Sequence, residues 1–267
     1  MLWHVLTPVT QQLLDQAPQL KFIQKVGVGV NTIDLDAAKA RGIRVCNMPG
    51  SNSNAVAEVT IMLILATLKQ LTKMDRITRS GRWRLSSAEQ ERLFELRGKT
   101  VGFVGYGSIP QLVSPILEAM GAKVIYTATA EKSNVNYPYM AFDALLASAD
   151  IVSLHVGLNE QTTSMMNARA FQTMKPGSVF INTARGGLVD EDALYAALTT
   201  GHVFAAGLDV FVEEPAQQHN PLFALDNVVV SPHVAWLTQE TWQRSVDLAL
   251  ENSRRLQANE ELLHPVI

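Results

Sequence analysis

The spacing of apolar positions changes period repeatedly along this chain, and each change predicts a strand or a helix. Leu2 to Leu6 reads as a strand, Leu20 to Val26 alternates apolar and polar residues like another, and Ile43 to Cys46 is a third. Between the last two, Ile33 to Arg41 has helical spacing, with Asn31 or Thr32 as its cap and Gly42 as its stop. Asn54 to Leu71 is apolar around most of its circumference, which predicts a long helix buried between layers. Lys73 to Arg97 is charged and contains RSGRWRLSS, so it reads as a solvated connector or as an arm lying on a second subunit. Short strands follow at Thr100 to Val104, Lys123 to Tyr126, Ile151 to Val156, Val179 to Asn182, Val203 to Val210 and Val228 to Ser231. A short helix is expected at Phe142 to Ala149. A long one is expected at Thr238 to Gln257, where Trp242, Val246, Ala249, Ser253 and Leu256 recur at helical spacing. Strand and helix in alternation is the grammar of a parallel sheet.

The second α/β set opens on KTVGFVGYGSIPQLVSPILEAMG, Lys99 to Gly121: a strand, a turn at Gly105, Tyr106 and Gly107, and a helix. Ser108 is the expected cap, and Leu112, Ile116 and Met120 share one face. In a Rossmann unit the first glycine permits the tight turn and the second lets a pyrophosphate approach the backbone. The helix start then supplies oriented N–H donors. Here the third fingerprint position holds Pro110, acceptable in a first helical turn, while Pro115 predicts a kink. An ordinary glycine turn is the alternative reading of this spacing. About 20 residues on, where an NAD site places an acid for the ribose hydroxyls, stand Thr127, Ala128 and Thr129. No carboxylate there repels a 2′-phosphate and Lys132 is close by, so NAD and NADP both stay open. Later strands end in His155, in Thr183-Ala184-Arg185-Gly186-Gly187, in Asp209 and in Pro232-His233. That carboxyl edge is where a doubly wound sheet binds ligands. The loop Gly27-Val28-Gly29-Val30-Asn31 reads as a simple turn or as a nest for a carboxylate.

At 267 residues the chain is long enough for two domains, and 47% hydrophobic against 18% charged residues is the balance of a globular enzyme. A net charge of -3 without a basic run argues against nucleic acid or an anionic membrane as the main partner. The single Cys46 excludes an intramolecular disulfide and fits a cytoplasmic setting. The opening MLWHVLTPVT lacks a basic n-region and a cleavage site, and Ile61 to Leu68 is too short to cross a bilayer. No His/Asp/Glu grouping has metal spacing. His4, His202, His219 and His264 read as structural or solvated, and Met165, Met166 and Met174 as packing residues.

Six ordered motifs are more specific than any of these features alone: LKFIQKVGVGVNTIDLDAAKARGI, NSNAVAEVTIMLILA, the glycine turn, MKPGSVFINTARGGLVDEDAL, AAGLDVFVEEP and VVVSPHVAW. Through them the chain resembles the D-isomer-specific 2-hydroxyacid dehydrogenases almost from end to end. The resemblance implies that Arg185 holds a substrate carboxylate and polarises the 2-keto oxygen, work that suits a planar, permanently charged fork. It implies that His233 is the acid/base and that Glu214 orients and stabilises its imidazole. Taken singly, Arg185 reads as a surface arginine, His233 as a capped loop histidine and Glu214 as a solvated carboxylate beside Glu213. The resemblance also assigns the Val28 and Gly29 backbone to the substrate carboxylate and Trp236 to the pocket wall. Gly105, Gly107, Ser108, Ile109, Thr127, His155, Thr183, Ala184 and Asp209 would meet the cofactor, with a structural cap as the alternative for Asp209.

The expected fold is α/β and two-lobed: a Rossmann-type, doubly wound parallel sheet at 54–237, inserted into a smaller flavodoxin-like substrate domain at 1–53 and 238–267. LWHVLTPVT resembles the third strand of the family's substrate domain, so that domain is expected to be incomplete, with a sheet edge for another subunit to cover. The implied activity is hydride transfer between a nicotinamide and a small 2-keto or 2-hydroxy acid of the glyoxylate or hydroxypyruvate type, in a homodimer. A dinucleotide-sensing binding module and a truncated, inactive relative are the competing expectations.

Overall fold

The computed structural model describes residues 1–4 and 7–267 and divides into two compact units. The smaller comprises Met1–Ala55 and Trp236–Ile267, and the larger Val56–Ala235. These junctions fall two residues from 53/54 and 237/238.

The smaller unit begins β1 (Leu2–His4), α1 (Gln11–Asp15), β2 (Phe22–Lys25), α2 (Leu35–Ala40), β3 (Arg44–Cys46). The expected continuation of β1 through residues 5 and 6 lies outside the described residues. The three strands form a parallel sheet in the order β1-β2-β3. Asp34, rather than Asn31 or Thr32, caps α2 by accepting Ala37 N–H at 2.9 Å, and Gly42 ends it in a left-handed conformation. Val9, Leu14, Ile23, Ile33, Ala38, Ile43 and Val45 form the core between sheet and helices.

The chain leaves this unit in the first turn of α3 (Ser53–Leu68). Leu63, Ile64 and Leu68 are buried, and Gln70, in a left-handed conformation, separates α3 from α4 (Leu71–Arg79), bent 61° away. The charged stretch Lys73 to Arg97, expected as a solvated connector or as an arm on a second subunit, thus carries most of a helix. It also contains the short α5 (Ser87–Gln90), closed by a reciprocal capping box between Ser86 and Glu89.

Next come β4 (Thr100–Val104), α6 (Ser108–Ala119), β5 (Lys123–Thr127), α7 (Phe142–Ser148), β6 (Ile151–Leu154), α8 (Ala168–Thr173), β7 (Ser178–Asn182), α9 (Glu191–Thr199), β8 (Val203–Leu208) and β9 (Val228–Val230). All six strands are parallel, in the order β5-β4-β6-β7-β8-β9. The sheet is covered on both faces, and alternate strand residues supply the two cores. Val101, Phe103, Val179 and Ile181 pack with α3 and α6, whereas Val152, Leu154 and Phe180 pack with α7, α8 and α9. This is the doubly wound arrangement, and it places every strand's carboxyl end on one edge.

In α6 the face that carries Leu112, Ile116 and Met120 turns outward. Pro110, Val113, Ser114 and Leu117 are buried, while Leu112, Ile116 and Met120 are 38%, 47% and 39% exposed. The inward face combines the apolar Val113 and Leu117 with a buried hydroxyl chain: Tyr106 Oη donates to Ser114 Oγ at 2.8 Å, and Ser114 Oγ donates to Pro110 O at 2.7 Å. The helix runs unbroken from Ser108 to Ala119 with Pro115 inside it.

Finally α10 (Gln239–Ala258), capped by Thr238, returns to the smaller unit. Its buried Asn252 donates to Gln24 Oε1 at 2.7 Å and accepts Leu263 N–H at 2.7 Å. The last residues then pair with β3 through Cys46 and Pro265. Burial pushes the Cys46 thiol up to about 11, so it is a packing group.

Candidate active site

The order of the large sheet sets the order of the strand tips along its carboxyl edge: Thr127, Gly105, His155, Thr183 to Gly187, Asp209, His233. At the first pair, Gly105 has φ +89° and donates its N–H to Thr127 O at 2.9 Å. A Cβ on Gly105 would lie 2.4 Å from His155 O, so only hydrogen lets the β4 and β6 tips meet. Gly107, not Ser108, occupies the cap position of α6, and no side-chain hydrogen bond caps the helix. A Cβ on Gly107 would meet nothing within 4 Å. A glycine facing open space at the start of a twelve-residue helix fits a pyrophosphate. Ser108 and Ile109 form the first turn behind it.

His155 packs its ring on Phe103, and its Nε2 lies 2.9 Å from Ser153 Oγ. Burial pushes this imidazole down to about 3, so it stays neutral at working pH. Beyond β5 the chain folds back: Lys132 N–H donates to Tyr126 Oη at 2.8 Å, and a polar cavity of about 790 Å³ opens between α6 and residues 131–137. Gln111, Glu118, Glu131 and Lys132 line it.

The β7 tip is built by Asn182. This buried amide accepts Ala184 N–H at 3.0 Å and donates to Arg185 O at 2.9 Å, bracketing the turn that presents Arg185. The adjacent Thr183 Oγ1 lies 3.1 Å from Thr60 Oγ1 of α3. A Cβ on Gly186 would lie 1.9 Å from Phe211 C and O, so the tip presses its backbone against the 211–212 peptide. That close approach brings Arg185 into the field of Glu214.

His233 Nδ1 lies 2.6 Å from Glu214 Oε2, and Glu214 Oε1 accepts Phe211 N–H at 3.0 Å. Burial alone would raise the Glu214 carboxyl. The hydrogen bonds from His233 and Phe211, together with the charges of His233 and Arg185, hold it below the ordinary carboxylate range. For Arg185 burial lowers the guanidinium pKa, and Glu214 opposes that shift. His233 itself has φ +54°, a left-handed backbone that a non-glycine residue rarely adopts. Asp209 secures it: its carbonyl accepts His233 N–H at 2.7 Å, and its carboxylate accepts Ser231 Oγ at 2.6 Å, Val234 N–H at 3.0 Å and Ala235 N–H at 2.9 Å. These bonds give Asp209 a structural role at the β8 tip.

His233 and Arg185 therefore both act on the Glu214 carboxylate, within the larger unit. Val28, Gly29 and Trp236 lie in the smaller one. There Asn47 Nδ2 donates to Val28 O at 2.9 Å, and Trp236 packs on the cluster of Val26, Met48 and Ala249. Asn182 and Gly186 escaped the sequence reading. The signal was present, since an Asn two residues before a polar turn announces an Asx-type bracket.

Residues 61–235 match the family model for the NAD binding domain of D-isomer specific 2-hydroxyacid dehydrogenases. The chain belongs to that family. Among its relatives, D-3-phosphoglycerate dehydrogenase of Mycobacterium leprae is 42% identical over 258 residues, 95% of this chain and 48% of that protein. The chain thus spans about half the length of this curated relative. Glyoxylate reductase of Thermococcus litoralis is 38% identical over 252 residues, covering 91% of this chain and 76% of that enzyme. A crystal structure of a Thermus thermophilus protein superposes with a TM-score of 0.93 at 37% identity, covering 99% of this chain and 85% of the other. In this member of the 2-hydroxyacid dehydrogenase family, the matched segment lies wholly within the larger unit.

Proposed function

We propose that the chain is an NAD(P)-dependent oxidoreductase that interconverts a small 2-keto acid and its D-2-hydroxy acid. The observation that carries this reading is the 2.6 Å contact of His233 with Glu214, with Arg185 charged beside the same carboxylate. Glutamate on Nδ1 fixes the imidazole's orientation and leaves Nε2 to face substrate. His233 gives its proton to the keto oxygen as C2 is reduced and takes it back in the reverse direction. Arg185 pairs with the substrate carboxylate and draws electron density from the keto oxygen. The nicotinamide, when bound, supplies or accepts the hydride. Gly105, Gly107, Ser108, Ile109 and the tips at Thr127, His155, Thr183 and Ala184 hold the dinucleotide.

Glyoxylate and hydroxypyruvate are the proposed substrates, a choice supported by the similarity to glyoxylate reductase. The absence of an acid at Thr127 to Thr129 supports acceptance of NADP as well as NAD. A second copy of the chain is the proposed partner, supported by Trp83, 85% exposed, and by the apolar outer face of α6. A cytoplasmic setting completes the proposal.

Absorbance at the reduced-nicotinamide band, followed with each acid and each cofactor, tests the reading. Turnover of at least one pair is expected. Dinucleotide binding without turnover of any 2-keto acid would replace the enzyme with a sensing module.

A further inference from the structure

We infer that Glu191 is a positioning residue for the His233–Glu214 pair, acting through the turn that carries Glu214; the inference rests on the role proposed above for that pair. Glu191 is the first residue of α9, where a carboxylate ordinarily does no more than favour the positive end of the helix. Asp190 beside it already caps that helix by accepting Ala193 N–H at 3.1 Å. The Glu191 side chain reaches away instead. Its Oε1 accepts Val212 N–H at 2.7 Å, and its Oε2 accepts Asn220 Nδ2 at 2.9 Å. One carboxylate thereby holds both ends of the 212–220 segment in which Glu214 lies.

The surroundings explain why this matters for placement more than for stability. Gly186 packs against the 211–212 peptide, but beyond that contact residues 212–215 are exposed, so apolar packing does little to fix the course of the turn. Phe211 is buried, and its N–H is held by Glu214 itself. Two successive backbone N–H groups, at 211 and 212, therefore end on two carboxylates: one touches the imidazole, and the other anchors the turn. Asn220 passes the restraint on, since its Oδ1 accepts Leu222 N–H at 3.0 Å beside a buried leucine. Without Glu191, Val212 N–H and the Asn220 amide would turn to water at small cost, because this face is solvated. Glu214 would then sample a wider range of positions relative to His233, and misplacement on the ångström scale is expensive for proton transfer.

Glu191→Ala and Glu191→Gln in the full chain test this. For Glu191→Ala the rate constant of 2-keto acid reduction is expected to fall about tenfold while KM changes by less than about twofold, because Arg185 is untouched. Its far-downfield imidazole Nδ1 proton resonance, the signature of a short carboxylate–histidine hydrogen bond, is expected to broaden or move upfield. Glu191→Gln keeps an acceptor for Val212 N–H and should recover to within about threefold. A folded Glu191→Ala protein with unchanged rate and resonance overturns the proposal, as does absence of that resonance from the unmodified chain. If the unmodified chain reduces no 2-keto acid, the reading of its function has failed and the resonance alone decides the role of Glu191. Should Glu191→Ala not fold, Glu191→Asp, which keeps the charge and withdraws its reach, is judged by the same readouts.

Discussion

A histidine held at positive φ costs on the order of 1 kcal/mol or more relative to an extended backbone, and here four hydrogen bonds to Asp209 offset that cost. The imidazole is aimed by its backbone as much as by its carboxylate partner. Replacing His233 by Gln should lower kcat by about a hundredfold or more, with dinucleotide affinity unchanged in a fluorescence titration. Arg185→Lys keeps the charge but loses the planar fork, so KM for the keto acid should rise about tenfold or more in initial-rate measurements. Glu214 carries a pH dependence with a definite sign. Its carboxyl is depressed in the folded chain, so the stability it contributes is complete above the ordinary carboxylate range and is lost as pH falls through the lower, folded value. The stability difference between the unmodified chain and Glu214→Gln, measured by urea unfolding, should therefore shrink between pH 7 and pH 4. Equal differences at both ends would show that the carboxylate is not held as described.

At the scale of elements, Gly186 is the tightest point. A methyl group there would overlap the Phe211 peptide, so Gly186→Ala must separate the β7 tip from the turn bearing Glu214. The expected loss is about 1–3 kcal/mol, read as a lowered midpoint in thermal unfolding, together with impaired reduction. How far elements were legible in the sequence depends on their length and on what their faces bury. The strands β4 to β9 were readable because each is a run of apolar or β-branched residues ending in polar ones. Among the helices of six to nine residues the signal was weak: α2 and α7 were readable, and α8 and α9 were not. Spacing grouped Leu112, Ile116 and Met120 on one face of α6 but could not report which face turns inward, because the buried Ser114 hydroxyl is satisfied by a tertiary bond from Tyr106. Arg185, Glu214 and His233 were findable through motifs. Asn182, Gly186 and Glu191 act on backbone groups, and the partners of those groups are set by tertiary structure.

For the whole molecule, the large apolar side chains left at the surface matter most. Trp83 at 85% exposure and the Leu112, Ile116 and Met120 stripe belong to the larger unit. If they meet a second copy, light scattering of the purified chain will give twice 29.3 kDa, and Trp83→Ala will move it toward the single mass. A single mass for the unmodified chain at working concentration would remove the homodimer. The smaller unit has a different peculiarity, since it is assembled from both ends of the chain around an uninterrupted larger one. On the ribosome, β1 to β3 emerge well before the helix and following residues that supply Asn252, Leu262 and the bridge partner of Cys46. Roughly ten to forty seconds of synthesis separate them. During that interval a half-built sheet waits with its apolar side chains uncovered, and it is there that a nascent polypeptide of this kind most needs a chaperone.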